Sequence, residues 1–212
     1  MPFFCQGRFN ELTEEMVRTL ADAGCFYMAL GLESGSEELR NTVLKRRMTD
    51  GQIESGAALL HKYGIKFIAY AMFGLPGETL RDAIKTVELA GRIRVDRLSP
   101  TVYQPIVKTE LWRYMVEHDL FEQGTLQIFG HFSYKSPVKM AHKREILNLH
   151  KIAFLGARHP LLISILRRLI TLPHNPVFTL LHHVNQFQTY RASRAMGLVE
   201  LARLAWYIRK MT

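Results

Sequence analysis

The chain has 212 residues, 48% hydrophobic and 22% charged, enough for one good core with room for a small second module and too apolar for a disordered polypeptide. Cys5 and Cys25 are its only cysteines, and no spacing repeats around them. That excludes a disulfide framework, a zinc knuckle or a self-sufficient iron-sulfur ligand set, and it agrees with a reducing cytosol.

The formal net charge of +9 is unevenly placed. Residues 1–138 carry 16 Lys+Arg against 17 Asp+Glu, whereas residues 139–212 carry 12 against Glu145 and Glu200 alone. The break near Ser136-Pro137 sets the expected boundary between a domain at 1–138 and a basic helical region at 139–212. The N-terminus shows no secretory-signal pattern, and no run of about 18 uncharged apolar residues is present to span a membrane, so a cytoplasmic location is expected.

In chain order, Thr13 caps a helix whose first turn holds Glu14 and Glu15, with Leu12 and Val17 placed as a hydrophobic staple. Met16, Leu20 and Ala23 form its stripe, Gly24 stops it, and the apolar run at 25–32 reads as a strand. The same grammar recurs. Thr49 and Gln52 open a helix with Ile53, Ala57 and Leu60 on one side, Gly64 closes it, and 65–75 is the next strand. That run is too continuously apolar for a sheet with one wet face. Thr79 and Asp82 cap a third helix through Ala83, Val87 and Ala90; a strand at 95–105 follows, and Thr109 starts a helix carrying Leu111, Trp112 and Met115.

Repeated strand, loop and helix imply a parallel sheet covered by helices, with right-handed crossovers. The periodicity leaves an open doubly wound sheet and an arc of a barrel as alternatives; in both, the loops after the strands form the functional edge. Beyond 138, helices are predicted at 139–157, 160–172 and 191–211, separated by His-Pro and Leu-Pro-His-Asn-Pro breaks. Ile163, Leu166 and Ile170 share one face beside Arg167 and Arg168. Leu201, Leu204, Ala205 and Ile208 do the same opposite Arg203, Arg209 and Lys210.

Two loops carry a signal. Gly31-Leu32-Glu33-Ser34-Gly35-Ser36 puts a carboxylate and two hydroxyls at a strand end, where they could hold a ribose or an ammonium; the plainer alternative has Ser36 capping the helix of Glu37 and Glu38. Gly74-Leu75-Pro76-Gly77-Glu78-Thr79 is either a ligand-approaching turn or a structural one, and its spacing fits neither a phosphate loop nor a dinucleotide fingerprint.

Together the two loops are far more specific, and residues 8 to about 120 resemble the second half of the barrel of radical S-adenosylmethionine (SAM) enzymes, especially the cobalamin-binding branch. The motif residues are Gly31, Glu33, Ser34 and Gly35, the stretch from Leu44 to Thr49, and Gly74 through Thr79, with Ala23-Gly24-Cys25 and Tyr63-Gly64-Ile65 as minor echoes. The resemblance implies an α/β fold: a partial (βα) radical SAM barrel covering about strands three to six, followed by the basic helical region. It places Glu33 and Ser34 near the ribose or methionine part of SAM and the strand leading into Gly74 beside the adenine. Gly77 and Glu78 shape that loop, and Arg8 faces the same pocket.

The family's Cys-x3-Cys-x2-Cys loop, which holds a 4Fe-4S cluster, has no counterpart here, and Cys5 and Cys25 have the wrong spacing to replace it. The first two barrel strands are also unmatched, and Pro105-Ile106-Val107-Lys108-Thr109 stands where the family has a Pro-Gly-Thr step. The chain alone is therefore expected to be marginal, self-associating or complexed with a missing N-terminal half or neighbouring subunit, since a sheet starting at its third strand exposes an edge.

His150, His159, His174, His182 and His183 lack carboxylate companions, so no metal site is expected and they read as part of a basic helical surface. Trp112 and Trp206 read as packing residues. The basic tail is either a helical cap on the barrel or a peripheral membrane contact, and nucleic acid is not expected as a partner. By resemblance the function is that of a fragment or subunit of a cobalamin-binding radical SAM methyltransferase or cyclase. Its substrate would be a lipid, a tetrapyrrole or a secondary metabolite, and its cofactors SAM, a 4Fe-4S cluster and cobalamin. The alternative is a non-catalytic accessory or truncated protein. No catalytic residue is assigned.

Overall fold

A computed structural model describes residues 2–122 and 135–194. Strands β1 (Phe3–Gly7), β2 (Cys25–Glu33), β3 (Lys66–Phe73) and β4 (Arg97–Val102) form one parallel sheet in the order β1-β2-β3-β4. Parallel neighbours need long crossovers. These are supplied by α1 (Glu14–Asp22), then α2 (Glu37–Thr42) with α3 (Asp50–Lys62), then α4 (Leu80–Arg92). Helices α5 (Glu110–Glu117), α6 (Lys143–Arg158), α7 (Ile163–Leu169) and α8 (Pro176–Arg194) follow.

The strand order settles the open alternative. A doubly wound sheet reverses its order at a switch point, and this one does not. One sheet face, through Met28, Leu30 and Leu32 of β2 and Phe67, Ala69 and Phe73 of β3, shares a core with Val17, Ile53, Ala83 and Ile146 of four different helices. The other face carries a small cluster of Phe4, Tyr27, Ala29 and Ile68, with Tyr70 exposed beside it. One helical layer over a sequentially ordered parallel sheet is a barrel arc.

The helix starts follow the threonines. The hydroxyls of Thr13, Thr49, Thr79 and Thr109 accept the N–H of Met16, Gln52, Asp82 and Trp112, each at 3.2 Å. Thr49 and Thr79 complete capping boxes with Gln52 and Asp82. Ser36, whose capping of α2 is one of the two alternatives for its loop, makes no such bond; its N–H donates instead to the Ser34 hydroxyl at 3.1 Å.

The core runs on past residue 138. Helix α6 lies on α4 and β4, with Ile146, Leu149 and Ile152 joined to the main cluster. The contact is close at Gly156, where an added Cβ would meet the Val87 side chain at 2.6 Å. The stretch predicted as one helix at 160–172 is instead a 3-10 turn at Pro160–Leu162 and the short α7. Helix α8 was not anticipated, although Asn175 announces it by accepting the Val177 N–H at 2.8 Å ahead of Pro176. Of the helix expected at 191–211, residues 191–194 end α8, and the remainder, with Trp206, lies outside the described residues.

Helix α8 also corrects the expectation that the histidines form a surface. His150 and His182 are buried, their rings 4.6 Å apart, while His159, His174 and His183 are exposed. The cause is the outer edge of β4, whose carbonyls need donors. Asn185 Nδ2 donates to Leu98 O at 3.0 Å, Gln186 Nε2 to Pro100 O at 3.4 Å, and His150 also bonds to Pro100. The outer edge of β1 has no strand beyond it among the described residues, and its Gln6 is exposed.

Burial, with His183 and Lys151 nearby, lowers the His182 imidazole to about 3 from its ordinary value of 6.5. The unfolded chain therefore takes up this proton first as pH falls below 6.5, and stability is lost from there down toward the folded value. Urea midpoints at pH 7 and pH 5 should fall less in His182→Gln than in the parent chain; an equal fall would count against this burial.

Candidate functional site

The loop after β2 is shaped by its own small residues. The β2–β3 register slips between Gly31 and Glu33, so that Leu32 stays in the core while Glu33 turns into the left-handed region at φ 65°. An added Cβ on Gly31 would sit 2.4 Å from the Glu33 Oε1, so the glycine keeps the room the carboxylate occupies. Gly35 meets the α4 backbone. A Cβ there would lie 2.2 Å from the Lys85 carbonyl oxygen, and the Gly35 N–H donates to Thr86 Oγ1 at 2.8 Å.

Arg40 locks this arrangement from below. Its side chain is wholly buried, and it donates to Ser34 O at 2.6 Å, Met48 O at 2.8 Å and Asp50 Oδ1 at 2.5 Å. Asn41 adds a second tie, accepting the Met48 N–H at 2.8 Å. The loop after β2, the stretch at 44–48 and the start of α3 are thereby one unit. That unit returns Arg46 to the strand end, where its guanidinium pairs with the Glu33 carboxylate. Arg8, just past β1, donates to Arg46 O at 2.6 Å and lies 3.5 Å from Glu11. Burial raises the Glu33 carboxyl above its ordinary range, opposed by Arg46 and Arg8.

The loop after β3 turns through Gly74 at φ 80° and Gly77 at φ 78°, values that favour glycine. Glu78 is buried beneath it, its Oε2 accepting the Gly74 N–H, while Oε1 has no partner among the described residues. Burial pushes the Glu78 carboxyl up to about 8. Over the ends of β3 and β4, a separate apolar cluster of Leu75, Tyr103, Met115 and Val138 forms a roof, with α5 part of it.

Arg8, Glu33 and Ser34 are thus gathered at neighbouring strand ends. Gly74, Gly77 and Glu78 make a single turn on the next strand, with the Glu78 carboxylate directed into that turn. Arg40 and Arg46 were missed as site residues. Arg46 lay within a stretch already singled out, whereas nothing local marks Arg40 for burial.

The cysteines lie elsewhere. Cys25 is in the core against the helical layer, Cys5 packs beside it, and their Sγ atoms are 3.5 Å apart. Burial pushes the Cys5 thiol up to about 12. Two thiols packed into the core on the helix side of the sheet do not fit a 4Fe-4S cluster, which the family's loop holds with three cysteines. Among the described residues, no group of three or more His, Cys, Asp or Glu side chains could hold a metal ion.

A sequential parallel sheet, a single helical layer and charged loops gathered at the C-terminal strand ends define a segment of a (βα) barrel with its candidate site at the strand ends. Residues 4–90 match the Radical SAM superfamily, and the chain carries part of a radical SAM fold. An uncharacterized methyltransferase of Pyrococcus horikoshii is 25% identical over 113 residues, 53% of this chain and 24% of that protein. The chain therefore spans about a quarter of that relative's length.

Among solved structures, the radical SAM methyltransferase TsrM from Kitasatospora setae, with tryptophan substrate and a SAM analogue bound, matches with TM-score 0.50. The identity is 21%, covering 56% of this chain and 23% of that one. The same enzyme with cobalamin and a 4Fe-4S cluster matches with TM-score 0.53 and 13% identity, covering 81% and 44%. Coproporphyrinogen III oxidase from Escherichia coli matches with TM-score 0.55 and 14% identity, covering 74% and 32%. These likenesses establish the fold.

Two outcomes test the site. Arg40→Met should destabilise the chain by about 2–4 kcal/mol, since it takes the donor from the Ser34 carbonyl, leaves Met48 O only Asn41 at 3.3 Å, and removes one of two arginines from Asp50, whose other is Arg92 at 3.0 Å. Arg40→Lys should recover little of this, because a point charge cannot reach three acceptors as a fork does; full recovery by lysine would refute the fork. For Glu78, the folded carboxyl stays protonated between 4.5 and about 8 while the unfolded one ionises, so its contribution falls as pH rises through that window. The loss of stability between pH 5 and pH 8 should be smaller in Glu78→Gln than in the parent, as measured by urea unfolding; an unchanged loss would reject the assignment.

Proposed function

We propose that this chain forms one wall of the SAM pocket in a radical SAM enzyme of the cobalamin-binding branch, a methyltransferase or cyclase, with the cluster-holding cysteines supplied by another segment or subunit. The observation that carries this is the strand-end constellation of Glu33, Arg46 and Arg8, built on the Gly31-to-Gly35 loop and set beside the Gly74-to-Glu78 turn. A half-buried carboxylate with two guanidiniums offers both signs of charge. That suits the ammonium, carboxylate and ribose hydroxyls of SAM.

When bound, SAM supplies the group that such an enzyme converts to a reactive carbon radical; this chain's contribution is to hold and orient it. Cobalamin would belong to a further domain, and the substrate to the lipid, tetrapyrrole or secondary-metabolite classes. The outer edge of β1, open among the described residues, is where further barrel strands or a second copy would add a strand. A non-catalytic accessory role is the second reading, supported by the two thiols lying on the wrong side of the sheet.

The test is anaerobic. Titrating the isotope-labelled chain with SAM should shift the amide resonances of Glu33, Ser34, Gly74 and Gly77; no shift at millimolar SAM would remove the pocket assignment and leave the accessory reading. Iron and sulfide reconstitution followed by dithionite should produce no 5′-deoxyadenosine from this chain alone. Production of it would overturn the placement of the cluster ligands elsewhere.

A further inference from the structure

Helix α8 is built inside out. Its buried residues, Phe178, His182, Asn185 and Thr189, are mostly polar and face the β4 edge. Its outward stripe is apolar, with Val177 55%, Leu180 63%, Val184 45% and Phe187 39% exposed, at helical spacings of three and four. An ordinary surface helix has the reverse arrangement. The corner that opens α7 adds Leu161 at 94% and Ile165 at 53%.

The charge carried by this segment has one sign. Residues 146–194 contain no Asp or Glu. Arg167 reaches back to Glu88 at 3.1 Å, whereas the exposed Arg158, Arg168 and Arg191 form no ion pair among the described residues.

We propose that the outward face of α8, with the corner at Leu161 and Ile165, docks on an anionic lipid bilayer. Apolar side chains would enter the headgroup boundary while the arginines meet lipid phosphates. A second copy of the chain is disfavoured, because it would set arginines against arginines and six exposed apolar side chains fall short of the roughly 800 Å² per partner of a standard interface. This surface is independent of the SAM-pocket proposal and stands or falls apart from it.

The experiment is flotation of the whole 212-residue chain with vesicles of phosphatidylcholine alone and of phosphatidylcholine mixed with phosphatidylglycerol. The chain should float with the anionic vesicles only and be released by high salt. Arg168→Gln and Arg191→Gln should each weaken partitioning about fivefold, and Leu180→Ser combined with Phe187→Ser should weaken it about tenfold or more. If the serine pair misfolds by circular dichroism, the salt response and the arginine variants decide. No vesicle binding, equal binding to neutral vesicles, or binding unchanged in every variant would overturn the proposal. So would a vesicle-free dimer abolished by the serine pair, which would put a second copy on this face.

Discussion

The loop that follows Glu33 has no regular hydrogen-bonded structure of its own, and its shape rests largely on one guanidinium that water does not reach. Arg40 ties Ser34 O, Met48 O and the Asp50 carboxylate together. Removing a guanidinium from water is costly unless its donors are met and a counter-charge lies close. Here two carbonyls and one carboxylate meet it, so the three segments cannot move apart without exposing an unsatisfied charge. The stretch between them therefore bulges outward, with Lys45 at φ 52° and Arg47 at φ 51°, and returns to lay Arg46 on Glu33. The electrostatics at the strand end thus depend on a residue that does not belong to the exposed site.

The sheet's two edges have opposite fates, and this accounts for the oddities of the C-terminal helices. The outer carbonyls of β4 are met by Asn185, Gln186 and His150, which forces the polar face of α8 inward. The apolar side chains that a helix normally buries are left outside. The edge of β1 has no such cover among the described residues, and the thiols of Cys5 and Cys25 strengthen only the core behind it. A barrel arc finished on one side and open on the other is the shape that a further strand, rather than a side-chain cap, would complete.

Much of the first 120 residues was readable because local chemistry and global fold agree there. A threonine cap, an apolar stripe, a glycine stop and an apolar run mark each unit, and all four threonines cap in the structure. Helix α8 escaped because its periodicity points the wrong way: the apolar stripe is not the buried one, and Asn175-Pro176 reads equally well as a break. Arg40 escaped for a different reason. A charged residue in a six-residue helix defaults to solvent, and only the convergence of acceptors from three separate segments makes its burial possible. The histidines misled in the same way, since the strand edge that needs them is formed fifty residues earlier in the chain for His150, at Pro100.

The motif residues divide by task once their surroundings are known. Gly31 makes space for a carboxylate, Gly35 lets the loop touch α4, and Gly74 with Gly77 turns the chain over Glu78. None of these needs a ligand to explain it. Glu78, raised to about 8 by burial, is a protonated brace for its own turn near neutrality. Glu33 differs: its carboxylate is held against Arg46 at a strand end by residues whose own positions are set from beneath, in an environment buried enough to raise its proton affinity. An ion pair so placed is expensive to maintain and has no core to stabilise. On the proposed reading, a polar ligand exchanging with one partner is what such a pair would serve, and opening of the Glu33–Arg46 pair would be the step that admits SAM.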